Sequence, residues 1–299
     1  MKRNFRLFYF IYFPDKSFYF LLFVFEFTKF ANGELFFLMK NKILIIFLFF
    51  YVSSFSQNLC KTDIMDGEKL LPNNEIEKFL KYDFSELWLQ KDNNLVLGIL
   101  GDDFQRIQIK LISVSKNINN QNEYFVYGKS KVKENVCEFV GKILIIKIQE
   151  SKREHFGVDD EYKNSGIKTQ GLLAAKYEFY ENKLQSHSGY FSGNLEAKWF
   201  LDKDNKIQYD NVNIHSDGYF NNAFVGIWTM YNSKTEKKCN WGDYRVPSVD
   251  CSFDIGAAEF SVAEKYLKKG WIDIAIKGKI GSLDITETKS IDTVKNWWE

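Results

Sequence analysis

Histidine is scarce in this 299-residue chain: only His155, His187 and His215 are present. None has the i, i+4 spacing of a helical zinc site or sits in a nucleophile motif, so neither a metal nor a cofactor is expected. Basic runs are absent as well. Lys and Arg total 40 against 39 Asp and Glu, and without a basic patch or a basic amphipathic helix the chain lacks the electrostatic drive toward nucleic acid or an anionic membrane surface. The longest apolar run, Ile43 to Val52, is ten residues, well short of the roughly 18 or more that mark a transmembrane helix. Gly189 to Gly193 reads Gly-Tyr-Phe-Ser-Gly, which places Ser192 wrongly for a nucleophile elbow. Asp202-Lys203-Asp204 begins like a calcium loop, but Lys206 and Ile207 occupy a ligand position and the glycine position, so it is read as a hairpin turn.

What is present starts at Met39. Lys40 and Lys42 supply a positive segment, the ten apolar residues follow, and Ser54-Phe55-Ser56 precede Gln57; residues 39–56 read as a cleavable signal peptide. Ten helical residues extend about 15 Å, roughly half of a bilayer core, so no stable membrane span is expected once the segment is removed. The expected location is therefore exported, periplasmic or extracellular, the alternative being an anchor formed by the uncleaved hydrophobic segment. Residues 1–38 hold 12 of the 29 Phe, interrupted by Pro14, Asp15, Lys16 and Glu26. They are expected to be upstream sequence translated from a start codon placed too early; the rival is a membrane helix around Phe18 to Phe25.

The remaining 57–299 is expected to be a single domain, with 33 basic and 36 acidic residues and a net charge of about −3. Its four cysteines, Cys60, Cys137, Cys239 and Cys251, suggest two disulfides in an exported chain. Of the three pairings, Cys239 with Cys251 and Cys60 with Cys137 is favoured, Cys137 with Cys239 stays open, and buried free thiols are the alternative.

Asn74 and Glu77 outline a capping box before an amphipathic helix with Ile76, Phe79, Leu80, Leu87 and Trp88 on its apolar side, expected to pack outside a sheet. From Leu95 the period becomes two. Ile107, Ile109 and Leu111 share a face, as do Leu173, Ala175, Tyr177 and Phe179, and again Phe191, Gly193, Leu195, Ala197, Trp199 and Leu201. Turn residues, Glu181-Asn182 among them, separate about ten strands, near 95–100, 106–115, 123–132, 139–149, 171–181, 188–201, 207–212, 223–231, 237–244 and 271–280. The expected fold is all-β, an antiparallel barrel or sandwich with two or three short peripheral helices, one of them between Ser261 and Gly270. Phe224 to Met230 is apolar on both faces and should be central or face a cavity. Trp297 and Trp298 should dock against the body.

Gly101-Asp102-Asp103, Tyr127-Gly128-Lys129-Ser130, Phe224-Val225-Gly226 with Trp228, Cys239 through Arg245 with Pro247, and Asp254-Ile255-Gly256 carry a resemblance. Over much of residues 95–260 the chain resembles a group of uncharacterised exported bacterial β-rich proteins. The resemblance implies one exported β domain and no activity.

Trp228, Trp241, Asp243, Tyr244 and Arg245 offer stacking faces and directed hydrogen bonds suited to a small polar ligand; an Arg–Asp pair locking a strand end is the plainer account of the same cluster. A small molecule or an envelope protein is the expected partner, bound without catalysis. The alternative is a polysaccharide-directed hydrolase with paired carboxylates drawn from Glu196, Asp217 and Asp243.

Overall fold

A computed structural model describes residues 64–65, 69–280 and 296–299, and the backbone of 28–29 and 35–36. The chain divides into two compact units, 1–57 and 58–299. In the first, β1 (Thr28–Lys29) pairs antiparallel with β2 (Leu35–Phe36); the segment read as a signal peptide lies outside the described residues.

The second unit carries β3 (Val96–Leu100), β4 (Gln105–Lys116), β5 (Glu123–Val132), β6 (Asn135–Glu150), β7 (Thr169–Glu181), β8 (Gly189–Leu201), β9 (Ile207–Tyr209), β10 (Asn221–Met230) and β11 (Glu236–Asp243). All pair antiparallel in the order β10-β11-β3-β4-β5-β6-β7-β8-β9, and an additional β8–β10 pairing closes the sheet. The result is a closed eight-stranded barrel with β9 as an extra strand. β8 divides its outer edge between two partners: Gly189 to Glu196 pair with β10, while Trp199 to Leu201 pair with β9. That settles the choice between barrel and sandwich, and gives the doubly apolar β10 two neighbours.

The period-2 faces turn inward as read. Phe191, Leu195, Ala197, Trp199, Leu173 and Phe179 are all completely buried. In the middle of the barrel Phe224 stacks on Trp241 with centroids 4.6 Å apart, and Tyr177 meets both rings edge-on at 5.2 Å. Such pairs contribute about 0.5–1.5 kcal/mol each beyond the area they bury. Tyr177 fits because Gly226 and Gly193 pair across the closing seam. A Cβ on Gly226 would lie 2.6 Å from the Tyr177 hydroxyl and 2.2 Å from the Ser192 carbonyl oxygen.

One barrel end is plugged from inside, where the sequence pointed to a helix on the outside. The helix is only one turn, α1 (Ile76–Phe79), followed by a 3-10 turn at Ser85–Trp88. Phe79, Phe84, Leu87 and Trp88 are all buried, yet their spacing does not share one helical face, so a continuous helix could not bury them together. Phe79 and Phe84 lie edge-on to Trp199, and Trp88 to Tyr124. Asn74 does not close a capping box with Glu77; its Oδ1 accepts from the Ile76 and Ile148 amides at 3.2 and 3.1 Å, pinning the segment to β6. At roughly 1.5–3 kcal/mol per fully buried large side chain, the plug outweighs a longer surface helix.

Residues 271–280, expected as a strand, form a helix, α2 (Ile272–Ile280). The barrel is already closed, so no long edge is vacant for another strand. Trp271 is fully buried with its indole N–H on the Phe104 carbonyl at 2.9 Å, and Arg106 reaches Asp273 at 2.5 Å. The short helix before it is a 3-10 turn, Glu264–Lys269, ended by Gly270 in the left-handed region at φ 96°. At the carboxyl end Trp298 lies against the body, 5.2 Å from the Lys110 ammonium.

The expected disulfides are overturned. Cys137 and Cys239 are free and buried, each turned inward on its strand, so Cys239 cannot pair with Cys251, nor Cys137 with Cys60, nor the two with each other. Cys251 is disulfide-bonded, and Cys60 lies outside the described residues. Among the described residues no helix is long and apolar enough to cross a membrane.

Two outcomes test this architecture. Gly226→Ala should lower stability by about 1–3 kcal/mol, read as a lower urea midpoint at unchanged slope. Burial pushes the Cys137 thiol up to about 11 and the Cys239 thiol higher still, so neither should be alkylated in the native protein. Both should be labelled after denaturation without reductant, as shown by peptide mapping.

Candidate functional site

The five residues singled out from the sequence do not form one site. Trp241 and Asp243 face the plugged end, around a small cavity of about 20 Å³ also bordered by Trp88, Gln90, Asn93 and Asn222. Asp243 is buried and accepts from Asn222 Nδ2 at 2.8 Å, the Tyr209 hydroxyl at 3.0 Å and Gln90 Nε2 at 3.5 Å. Asn222 also donates to the Leu87 carbonyl at 2.7 Å. One carboxyl thus ties β11 to β10, β9 and the plug, and burial pushes it up to about 7 against these hydrogen bonds. This is a structural hub with no room for an organic ligand.

Tyr244, at φ 72°, packs edge-on against Tyr219 at 5.2 Å. Arg245 pairs with Asp254 at 2.6 Å and caps the Gly256 and Ala258 carbonyls. The ion pair anticipated here is thus made with Asp254, not Asp243, and both residues fasten the loop after β11. The carboxylates considered for hydrolysis are separated too. Glu196 alternates with the inward Leu195 and Ala197 and so faces out of the barrel, Asp217 is exposed in a turn, and Asp243 is inside.

Trp228 belongs to the other end, which the plug does not reach. There a cavity of about 510 Å³ is lined by apolar Leu100, Ile107, Val132, Phe191, Trp228 and Met230, with Ser130 and Glu181 as its deep polar groups. Lys133, His187 and Lys237 border it and are exposed. Glu181 is 5 % exposed. Its Oε1 accepts from the Ser130 hydroxyl at 2.5 Å; its Oε2 accepts from the Gly189 amide at 2.7 Å and the Trp228 indole N–H at 3.0 Å. Burial raises its carboxyl, and the three donors pull the other way. Three donors leave one of about four lone-pair sites unused, on Oε1, where a ligand N–H or O–H could be received.

Eight strands give a barrel interior just wide enough for side chains or one small ligand. The aromatic layer around Tyr177 and Trp241 fills the middle, the plug fills one end, and the other end holds the space. No protein-family model, no curated protein and no solved structure matches this chain. Among the described residues no three His, Cys, Asp or Glu side chains are grouped to hold a metal ion.

Glu181 was missed because Glu181-Asn182 reads as a turn. Its signal was the parity of β7: Leu173, Ala175, Tyr177 and Phe179 extend to residue 181 on the same inward face.

Asp243 gives a pH test. An ordinary aspartate ionises near 3.9; with its folded value raised to about 7, the contribution of this group to stability is full below about 4 and is lost as pH rises to about 7. Glu181 and Asp210 are raised in the same sense, so the comparison is with Asp243→Asn. Between these pH values wild type should lose stability relative to the variant, by up to about 1.4 kcal/mol per pH unit, measured by urea unfolding across the range.

Proposed function

We propose that this protein is an exported binding protein that takes a small molecule into the unplugged end of its barrel. The observation that carries the reading is the cavity of about 510 Å³ whose apolar walls and buried Glu181–Trp228 pair lie inside an otherwise filled barrel. Its size is that of ligand pockets, roughly 300–1,000 Å³, which are mostly apolar with a few placed polar groups. A barrel core ordinarily packs to the density of an organic crystal, so a retained space beside a buried carboxylate with one acceptor site unused favours a bound guest. Binding without catalysis is preferred over hydrolysis because Glu196 and Asp243 stand on opposite faces of the barrel wall. Export rests on the signal-like residues 39–56.

Native mass spectrometry of untagged protein from its own host tests both parts. The expected species begins at Gln57 and carries a reproducible small adduct. Peptides from before Met39 would overturn the leader reading. Met230→Trp, which places an indole in the cavity, should remove the adduct or weaken its rebinding by at least about tenfold, roughly 1.4 kcal/mol. Unchanged binding by that variant would place the ligand elsewhere.

A further inference from the structure

We infer that the ligand of this cavity is an anionic amphiphile, an apolar chain or ring that carries a carboxylate, sulfate or sulfonate head; the inference rests on the binding reading above. The walls supply the apolar half: Phe191 and Trp228 are buried at 0 % and 5 % exposure, with Met230 beside them. The border supplies the charge. Lys133 projects from the β5–β6 turn at φ 54°, and Lys237 lies on β11; both are exposed, and among the described residues neither forms an ion pair.

The neighbouring acids do not cancel these charges: Glu236, next to Lys237 on β11, alternates with it and is not part of the cavity border. Asp103, also at the border, is held by Lys269 at 2.7 Å, and Glu134 pairs with Lys131 at 3.8 Å. The border is therefore net positive, a field that attracts an anion and loses strength with salt. Glu181 does not oppose this. It is buried deep, three donors face its oxygens, and a cation carried down to it would lose its hydration with only one lone pair to meet it. The head of the ligand stays at the lysines and its apolar body occupies the cavity, the arrangement that leaves no charge unpaired in the interior.

The test uses the expected mature form, 57–299, with three probes that share a ten-carbon chain: decanoate, decanol and decyltrimethylammonium. Each is titrated by displacement of anilinonaphthalene sulfonate and by intrinsic tryptophan fluorescence. Decanoate should bind at least about tenfold tighter than either of the others, and its affinity should fall several-fold when salt is raised from about 0.05 to 0.5 M. In Lys133→Gln/Lys237→Gln, with both changes at exposed positions, the decanoate-to-decanol affinity ratio should collapse toward one; a thermal melt without probe verifies the fold. Equal binding of decanoate and decanol by wild type overturns the anionic assignment while leaving the cavity reading standing. Preference for the ammonium overturns it in favour of Glu181 as the recognising group. Failure of all three probes to bind, with Met230→Trp indistinguishable from wild type, overturns the cavity reading itself.

Discussion

Closure of the sheet between β8 and β10 is the constraint on which everything else in this molecule depends. The two strands meet at Gly193 and Gly226, where any side chain would strike the opposite backbone and the Tyr177 hydroxyl. Closure removes the edges a sheet must otherwise protect and commits every second residue to a shared interior. Tyr177 then crosses to the seam and packs against Phe224 and Trp241, so the seam and the central aromatic layer support each other. With no long edge left, residues 272–280 turn helical, and Arg106 and Trp271 fasten the start of that helix to the barrel.

The aromatic layer makes the two ends of the barrel chemically different. Toward the plug, Phe79, Phe84, Leu87 and Trp88 fill the space and Asp243 binds plug to wall. At the other end Glu181 is also enclosed, but its donors come only from the wall, on β5, β8 and β10, and space remains above it. Two buried carboxyls at opposite ends therefore serve different purposes, one to hold the closed end shut and one to shape the floor of the open end.

Much of this was legible in residue order. The alternation in β7 and β8 named the inward faces correctly, and Phe224 to Met230 announced a strand with two neighbours. The candidate site was half legible: Trp228 borders the cavity, whereas Trp241 and Asp243 belong to the sealed end and Tyr244 and Arg245 to a surface loop. Their adjacency in sequence was misleading because successive residues on a strand point to opposite faces, and because β11 runs the length of the barrel from one end to the other. Glu181 was read as a turn residue although its parity set it inside. The cysteines were misjudged for the same reason: Cys137 and Cys239 sit on inward positions of separate strands, where a thiol serves as a small apolar side chain.

Sequence by itself determined the strands between residues 95 and 244 and which face most of their residues present, since side-chain period and turn chemistry act over a few residues and need no knowledge of distant partners. The tertiary structure alone decided that the sheet closes, which end is plugged, where Glu181 meets Ser130 and Trp228, and which lysines stand at the mouth. Those contacts join residues far apart in the chain, such as Ser130 with Glu181 and Glu181 with Trp228. They exist only once register and closure bring the strands together.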